Sequence, residues 1–168
     1  MSDYQNMMNS NIDSTQNKGA SFRHQWMLVG AIEAGKSTLF NALQGLNDTV
    51  RKTQAMDFYE GMIDTPGEFF SHPRMYRALI NTAAEVDTII YVHAANDFEF
   101  RLPQGLLEVN RHKRLIGLIT KTDLADANPD KVEAMMREHG FTGEILRICA
   151  LDPLQVIALK KFLQQDNY

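Results

Sequence analysis

A four-residue apolar run, WMLV, ends at a glycine, and the nine residues from that glycine read GAIEAGKST, Gly30 to Thr38. No other feature restricts the fold as much. The spacing G-x-x-x-x-G-K-[ST] works only with a buried strand in front and a helix behind, and both are expected here. Gly30 and Gly35 allow backbone angles that curl the loop until its N–H groups point inward. The helix beginning near Lys36 adds its positive end and its unpaired amides. Such a loop holds phosphate. Its backbone runs through Ala31, Ile32, Glu33 and Ala34 and on to Thr38. The Lys36 ammonium can reach the β- and γ-phosphates, and the Ser37 hydroxyl is placed to coordinate Mg²⁺. Ile32 is bulky where a small residue would leave room for an inserted arginine, and Glu33 brings a negative charge beside phosphates. Both side chains are expected to face solvent while their backbone does the binding.

The rest of the chain alternates between strand and helix patterns. After KSTLFNALQG, a helix stopped by Gly45, come AMDFY and MID as short strands turning at Glu60-Gly61. HPRMYRALINTAAEV reads as a helix with Pro73 just inside its start. TIIYVH is a strand, RLPQGLLEV a short helix and RLIGLIT a buried strand. ANPDKVEAMMREHG is a helix capped by Asn128 and stopped by Gly140. EILRICA is a strand, and DPLQVIALKKFLQQ closes the chain as a helix capped by Asp152. This alternation predicts an α/β fold with a mostly parallel, doubly wound sheet. Ligands in such sheets sit beyond the carboxyl ends of the strands, so the loops after these strands should converge.

Composition narrows the partners. At a net charge of −4 nothing in the chain is basic enough to suggest nucleic acid as a main partner. The one cysteine, Cys149, excludes an internal disulfide and fits a reducing compartment. No apolar run approaches the roughly 18 residues of a membrane span, and the polar N-terminus does not read as a secretory signal. A cytoplasmic location is expected. Residues 1–22 are rich in Asn, Gln and Ser and read as a disordered tail, with a short address helix through Tyr4, Met7, Met8 and Ile12 as the sharper alternative. A single domain is expected over 23–168. His24, His93, His112 and His139 are scattered without zinc-like spacing.

Three further segments carry chemistry. DTPGE, Asp64 to Glu68, follows the strand MI. Asp64 can hold Mg²⁺ opposite Ser37, and the Gly67 amide can sense a γ-phosphate and move when it leaves. TKTD ends the strongest strand. The Asp123 carboxylate can accept from guanine N1–H and the 2-amino group together, which adenine cannot offer, and the Lys121 stem can cover the base. The usual guanine reader begins with Asn; Thr120 offers one hydroxyl in place of an amide and should brace neighbouring loops less fully. After the last strand, a backbone N–H of Cys149 or Ala150, most naturally Ala150, can meet guanine O6. Cys149 itself reads as a small packing residue. Thr53 in RKTQAMDF would complete the Mg²⁺ shell. Only eleven positions separate Thr53 from Asp64, so the second strand must be short or the sheet edge truncated.

These four elements in this order resemble a small Ras-like P-loop NTPase of the translation-factor class. RKTQAMDF, IDTPGEFFSHPRMYRAL, YVHAANDFEFRLPQGLL and TKTDLADA resemble more closely the bacterial EutP/PduV family of ethanolamine- and propanediol-utilisation proteins, over Gln25 to the C-terminus. The resemblance implies a doubly wound P-loop domain serving ethanolamine catabolism, which in many bacteria occurs in protein-shelled microcompartments. Shell proteins or other ethanolamine-utilisation proteins are then the implied partners. Family members carry GTPase-like motifs, yet an acetate kinase activity has been attributed to the ethanolamine branch.

Three functions follow as expectations, two of them reactions. Slow GTP hydrolysis is the first: Glu68 stands where many small GTPases place the Gln that orients water, and its charge repels the γ-phosphate. The second is phosphoryl transfer from ATP to acetate, with His72, Arg74, Arg77 and Arg101 as cations that could hold two anions together, Arg74 foremost. The third is a nucleotide-dependent scaffold with negligible turnover. GTP and GDP are the expected ligands, ATP and ADP the alternative, with Mg²⁺ in each case.

Overall fold

A computed structural model describes residues 25–45, 57–59 and 61–165. Six strands form one sheet: β1 (Trp26–Val29), β2 (Asp57–Tyr59), β3 (Met62–Asp64), β4 (Thr88–Ala94), β5 (Arg114–Thr120) and β6 (Glu144–Arg147). Their spatial order is β2-β3-β1-β4-β5-β6. All neighbours pair parallel except β2 and β3, which are antiparallel. The expected truncated edge is therefore β2, three residues long and turned into β3 at Gly61, whose φ is +82°.

Helices cover both faces: α1 (Lys36–Gln44), α2 (Tyr76–Ala84), α3 (Gln104–Val109), α4 (Pro129–Glu138) and α5 (Pro153–Gln164). Successive strand residues point to opposite faces, so a strand buried on both sides reads as continuous apolar sequence. In β1, Met27 and Val29 pack with Leu79 of α2, Leu106 of α3 and Met136 of α4. Trp26 and Leu28 point the other way, into a second core with Leu39 and Leu43 of α1 and Leu159 of α5.

Helix ends follow their capping residues. Asn128 accepts from the Lys131 amide and Asp152 from the Leu154 amide, each satisfying an orphan donor of the first turn. Gly45, with φ +73°, closes α1 in the left-handed conformation. The segment read as one helix from His72 begins as a tighter turn, Pro73–Met75, in which the Met75 amide bonds only three residues back, to His72. EILRICA yields a strand only through Arg147; β6 is an edge with a single neighbour.

Candidate functional site

The loops after β1, β3, β4 and β5 meet at the carboxyl end of the sheet. Gly30 leaves β1 directly against β4: a Cβ there would lie 2.3 Å from the Val92 carbonyl oxygen. The loop then turns through Glu33, at φ +66°, and Gly35, at φ +92°. Among the described residues two that are not glycine have such left-handed angles, Glu33 and Lys121 at φ +57°. Both stand in these loops, where local strain is held by the surrounding structure. The Ile32 and Glu33 side chains are exposed and Ala34 is buried, with Ala31 and Thr38 in between.

Lys36 opens α1 and is buried. Its Nζ donates to the Ala31 carbonyl at 3.1 Å, so the side chain arches back over its own loop. Burial pushes its ammonium below the ordinary lysine range, and the carboxylates of Asp64 and Glu68 partly restore it. A buried cation drawn toward two carboxylates is arranged to receive more negative charge. Ser37 Oγ donates to Asp64 Oδ2 at 3.3 Å, and Asp64 is fully buried at the end of β3. A hydroxyl and a carboxylate at this separation form an all-oxygen donor set, which suits a hard divalent cation. Thr53 lies outside the described residues.

Beyond Asp64, Thr65 is fully buried and its hydroxyl donates to the Leu28 carbonyl at 2.7 Å, pinning the start of DTPGE to β1. Sequence reasoning gave Thr65 no role; a threonine between a metal-type carboxylate and Pro66 carries no signal of its own. Gly67 then presses on the phosphate loop. A Cβ on it would fall 2.6 Å from the Ile32 nitrogen and 2.7 Å from the Ile32 Cα. Glu68 follows, half-buried in the tight turn Gly67–Phe70.

On the other side, Thr120 ends β5 with its hydroxyl 2.6 Å from the Ala34 carbonyl and 3.3 Å from the His93 carbonyl. It thus joins the base-side loop to the phosphate loop across 86 positions of sequence. Its own carbonyl accepts from the Ala95 amide at 2.8 Å, and the Ala95 carbonyl accepts from the Asn128 amide at 2.8 Å. Lys121 is half-buried and Asp123 exposed. The Cys149 amide donates to Gln155 Oε1 at 2.9 Å and is engaged there.

The candidate cations separate into two groups. His72, Arg74 and Arg77 are exposed around the turn that starts α2. Arg101 is held elsewhere: it bonds Asp97 at 3.1 Å and Glu99 at 2.9 Å, which raises its guanidinium further above its ordinary value and satisfies its charge locally. Its reading as an anion holder is corrected on that ground. Beneath it lies a buried chain the sequence did not reveal. His93 Nε2 faces the Asp97 carbonyl at 2.8 Å and must donate to it, so Nδ1 accepts from the Tyr91 hydroxyl at 2.7 Å.

Known proteins resemble this chain in sequence and in fold. The family model for ethanolamine utilisation–propanediol utilisation, PduV-EutP, matches residues 23–165. A Salmonella typhimurium protein named "Probable acetate kinase EutP" is 54% identical over 136 residues, covering 80% of this chain and 86% of that protein. The propanediol utilization protein PduV of Citrobacter freundii is 37% identical over 100 residues, covering 59% of this chain and 65% of that one. The solved FeoB G-domain of Methanococcus jannaschii superposes with a TM-score of 0.60 at 24% identity, covering 83% of this chain and 94% of that domain. A strand, phosphate loop and helix at the head of a doubly wound sheet give the P-loop NTPase fold, and with these sequence matches the chain belongs to the PduV-EutP family of ethanolamine and propanediol utilisation.

Proposed function

We propose that this protein is a Mg²⁺-dependent guanine-nucleotide-binding NTPase of ethanolamine utilisation that hydrolyses GTP slowly and acts as a nucleotide switch. One observation carries the reading: Gly67 rests on the Ile32 backbone while Lys36, Ser37 and Asp64 gather beneath the same loop. A γ-phosphate entering between these loops would have to engage the Gly67 segment, which couples its presence to the position of DTPGE. Lys36 would neutralise the β- and γ-phosphates, and the inward backbone of Gly30 to Thr38 would cradle them. Ser37 and Asp64 would hold Mg²⁺, with Thr53 as a further ligand. Bound there, the ion would supply charge stabilisation for the transferring phosphoryl group.

Asp123 and Ala150 would read guanine, with Lys121 against the base face. Glu68 would sit beside the γ-phosphate as an acceptor for water. It cannot donate as an amide does, and its charge opposes the phosphate, which favours turnover near the roughly 10⁻⁴ s⁻¹ scale of unassisted small GTPases. We place the protein in the cytoplasm in association with a microcompartment, with shell or other ethanolamine-utilisation proteins as partners. Residues 1–22, outside the described region, would be a tail preceding a single domain.

The test is equilibrium binding of GDP and ADP with Mg²⁺ to wild type and Asp123→Ala. A GDP preference that disappears in the variant supports the guanine reading; equal binding, or an ADP preference, overturns it. A second reading, phosphoryl transfer to acetate, rests on the name of the Salmonella relative alone. Arg74 would then hold the carboxylate. Acetyl phosphate trapped from ATP and acetate by wild type, and strongly reduced in Arg74→Ala, is the result that would move the assignment there.

A further inference from the structure

Thr120 occupies the first position of the reader TKTD and is almost completely buried. Its hydroxyl has two neighbours, the carbonyl oxygens of Ala34 at 2.6 Å and His93 at 3.3 Å. Carbonyl oxygens only accept, so the hydroxyl must donate, and it has one proton to give. The shorter distance assigns that proton to Ala34. The phosphate loop closes in beside it as well: a Cβ on Gly35 would come within 3.2 Å of the same oxygen. What remains on Thr120 Oγ1 is lone-pair capacity.

This matters for how a purine is read. Around the edge of guanine, N1–H and the 2-amino group are donors, suited to the Asp123 carboxylate. O6 is an acceptor, suited to the Ala150 amide. The next atom is N7, a second acceptor, which needs a donor. An asparagine at position 120 would carry two N–H donors and could brace the loop with one while keeping the other. Threonine cannot.

Resting on the guanine reading above, we infer that Thr120 makes this site indifferent to purine N7: the residue is committed to the phosphate loop and contributes nothing to recognition of that edge of the base. N7 is an acceptor in guanine and adenine alike, so selectivity between the two purines rests on Asp123 and Ala150 whether or not N7 is read. Thr120 is in this sense a positioning residue for the phosphate loop, standing where a base contact would otherwise be.

The experiment is calorimetric titration of the full chain with Mg²⁺ and GDP, 7-deaza-GDP or ADP, for wild type, Thr120→Asn and Thr120→Ser. In 7-deaza-GDP a C–H replaces N7 and the remaining polar edge is retained. Wild type and Thr120→Ser are expected to bind GDP and 7-deaza-GDP within about twofold of each other, because neither has a donor to lose. Thr120→Asn is expected to open a gap of about 3- to 10-fold in favour of GDP, the worth of one neutral hydrogen bond. A wild-type preference for GDP over 7-deaza-GDP of about fivefold or more, with GDP still bound better than ADP, overturns this inference and leaves the guanine reading standing. GDP bound no better than ADP overturns the guanine reading and this inference with it. The wild-type comparison decides the matter even if Thr120→Asn does not fold.

Discussion

Replacing Gly67 by Ala tests the contact on which the proposed switch rests. The added Cβ would meet the Ile32 nitrogen at 2.6 Å, 0.8 Å inside the 3.4 Å at which ordinary contact begins. The neighbour is backbone of a loop held by Gly30 against β4 and by Thr120 against Ala34, so the phosphate loop has little room to yield. The DTPGE segment must retreat instead, by most of that distance. A Gly67 amide placed at about 2.9 Å from a γ-phosphate oxygen would then stand near 3.7 Å, beyond hydrogen-bonding range. Hydrogen bonds to charged groups are worth about 1.5–3 kcal/mol, so affinity for a non-hydrolysable GTP analogue should fall about 10- to 150-fold. GDP lacks the γ-phosphate and should bind within about twofold of wild type. Fluorescent-nucleotide titrations of both ligands against both proteins give the comparison. A further change of Ile32 to Ala should not rescue the variant, because the clash is mainly with backbone atoms that alanine keeps. Equal changes for the two ligands, or none, would refute the claim that Gly67 is the point of contact with a third phosphate.

Two more outcomes follow from packing and titration. Gly30→Ala places a Cβ 2.3 Å from the Val92 carbonyl in the middle of the sheet, and overpacking there should cost about 3 kcal/mol, a Tm drop of about 6–12 °C by thermal melting; an unchanged Tm would show that β1 and β4 separate freely. Burial, the largest influence on His93, holds its imidazole below the ordinary value of 6.5, so on acidification below that pH the unfolded chain takes up a proton that the folded one refuses. Stability should therefore fall as pH drops from 7 toward 5 more steeply in wild type than in His93→Gln, as read from Tm against pH; parallel curves would place the acid sensitivity elsewhere.

Much of the architecture was legible because apolar runs and stop signals coincide. WMLV, MID and RLIGLIT become β1, β3 and β5 with the same ends, each closed by a residue of the candidate site: Gly30, Asp64 at the strand's last position, and Thr120. The cramped spacing around Thr53 foretold a truncated edge, and β2 has three residues. Legibility fails where the deciding quantity is a distance between segments remote in sequence. The composition of RLP makes Arg101 look like an anion holder, yet Asp97 and Glu99 are within its reach in the folded loop. The substitution of Thr for Asn in TKTD suggested a weaker brace. Only the fold shows that the brace to Ala34 is kept and that it occupies the hydroxyl proton. His93 looked like one of several scattered histidines until Tyr91 and Asp97 enclosed it.

The chain contains a single tryptophan, Trp26, at the opposite end of β1 from Gly30. It is 9% exposed and packs on the face shared with α1 and α5. At roughly 3.3 Å per residue, the length of β1 puts it on the order of 10 Å from the first glycine of the phosphate loop. Its emission therefore reports whether the sheet and the helices on that face are assembled, while remaining largely blind to what the phosphate loop holds. The native chain carries its own optical gauge of folding, and nucleotide occupancy can be followed separately with a labelled ligand in the same cuvette.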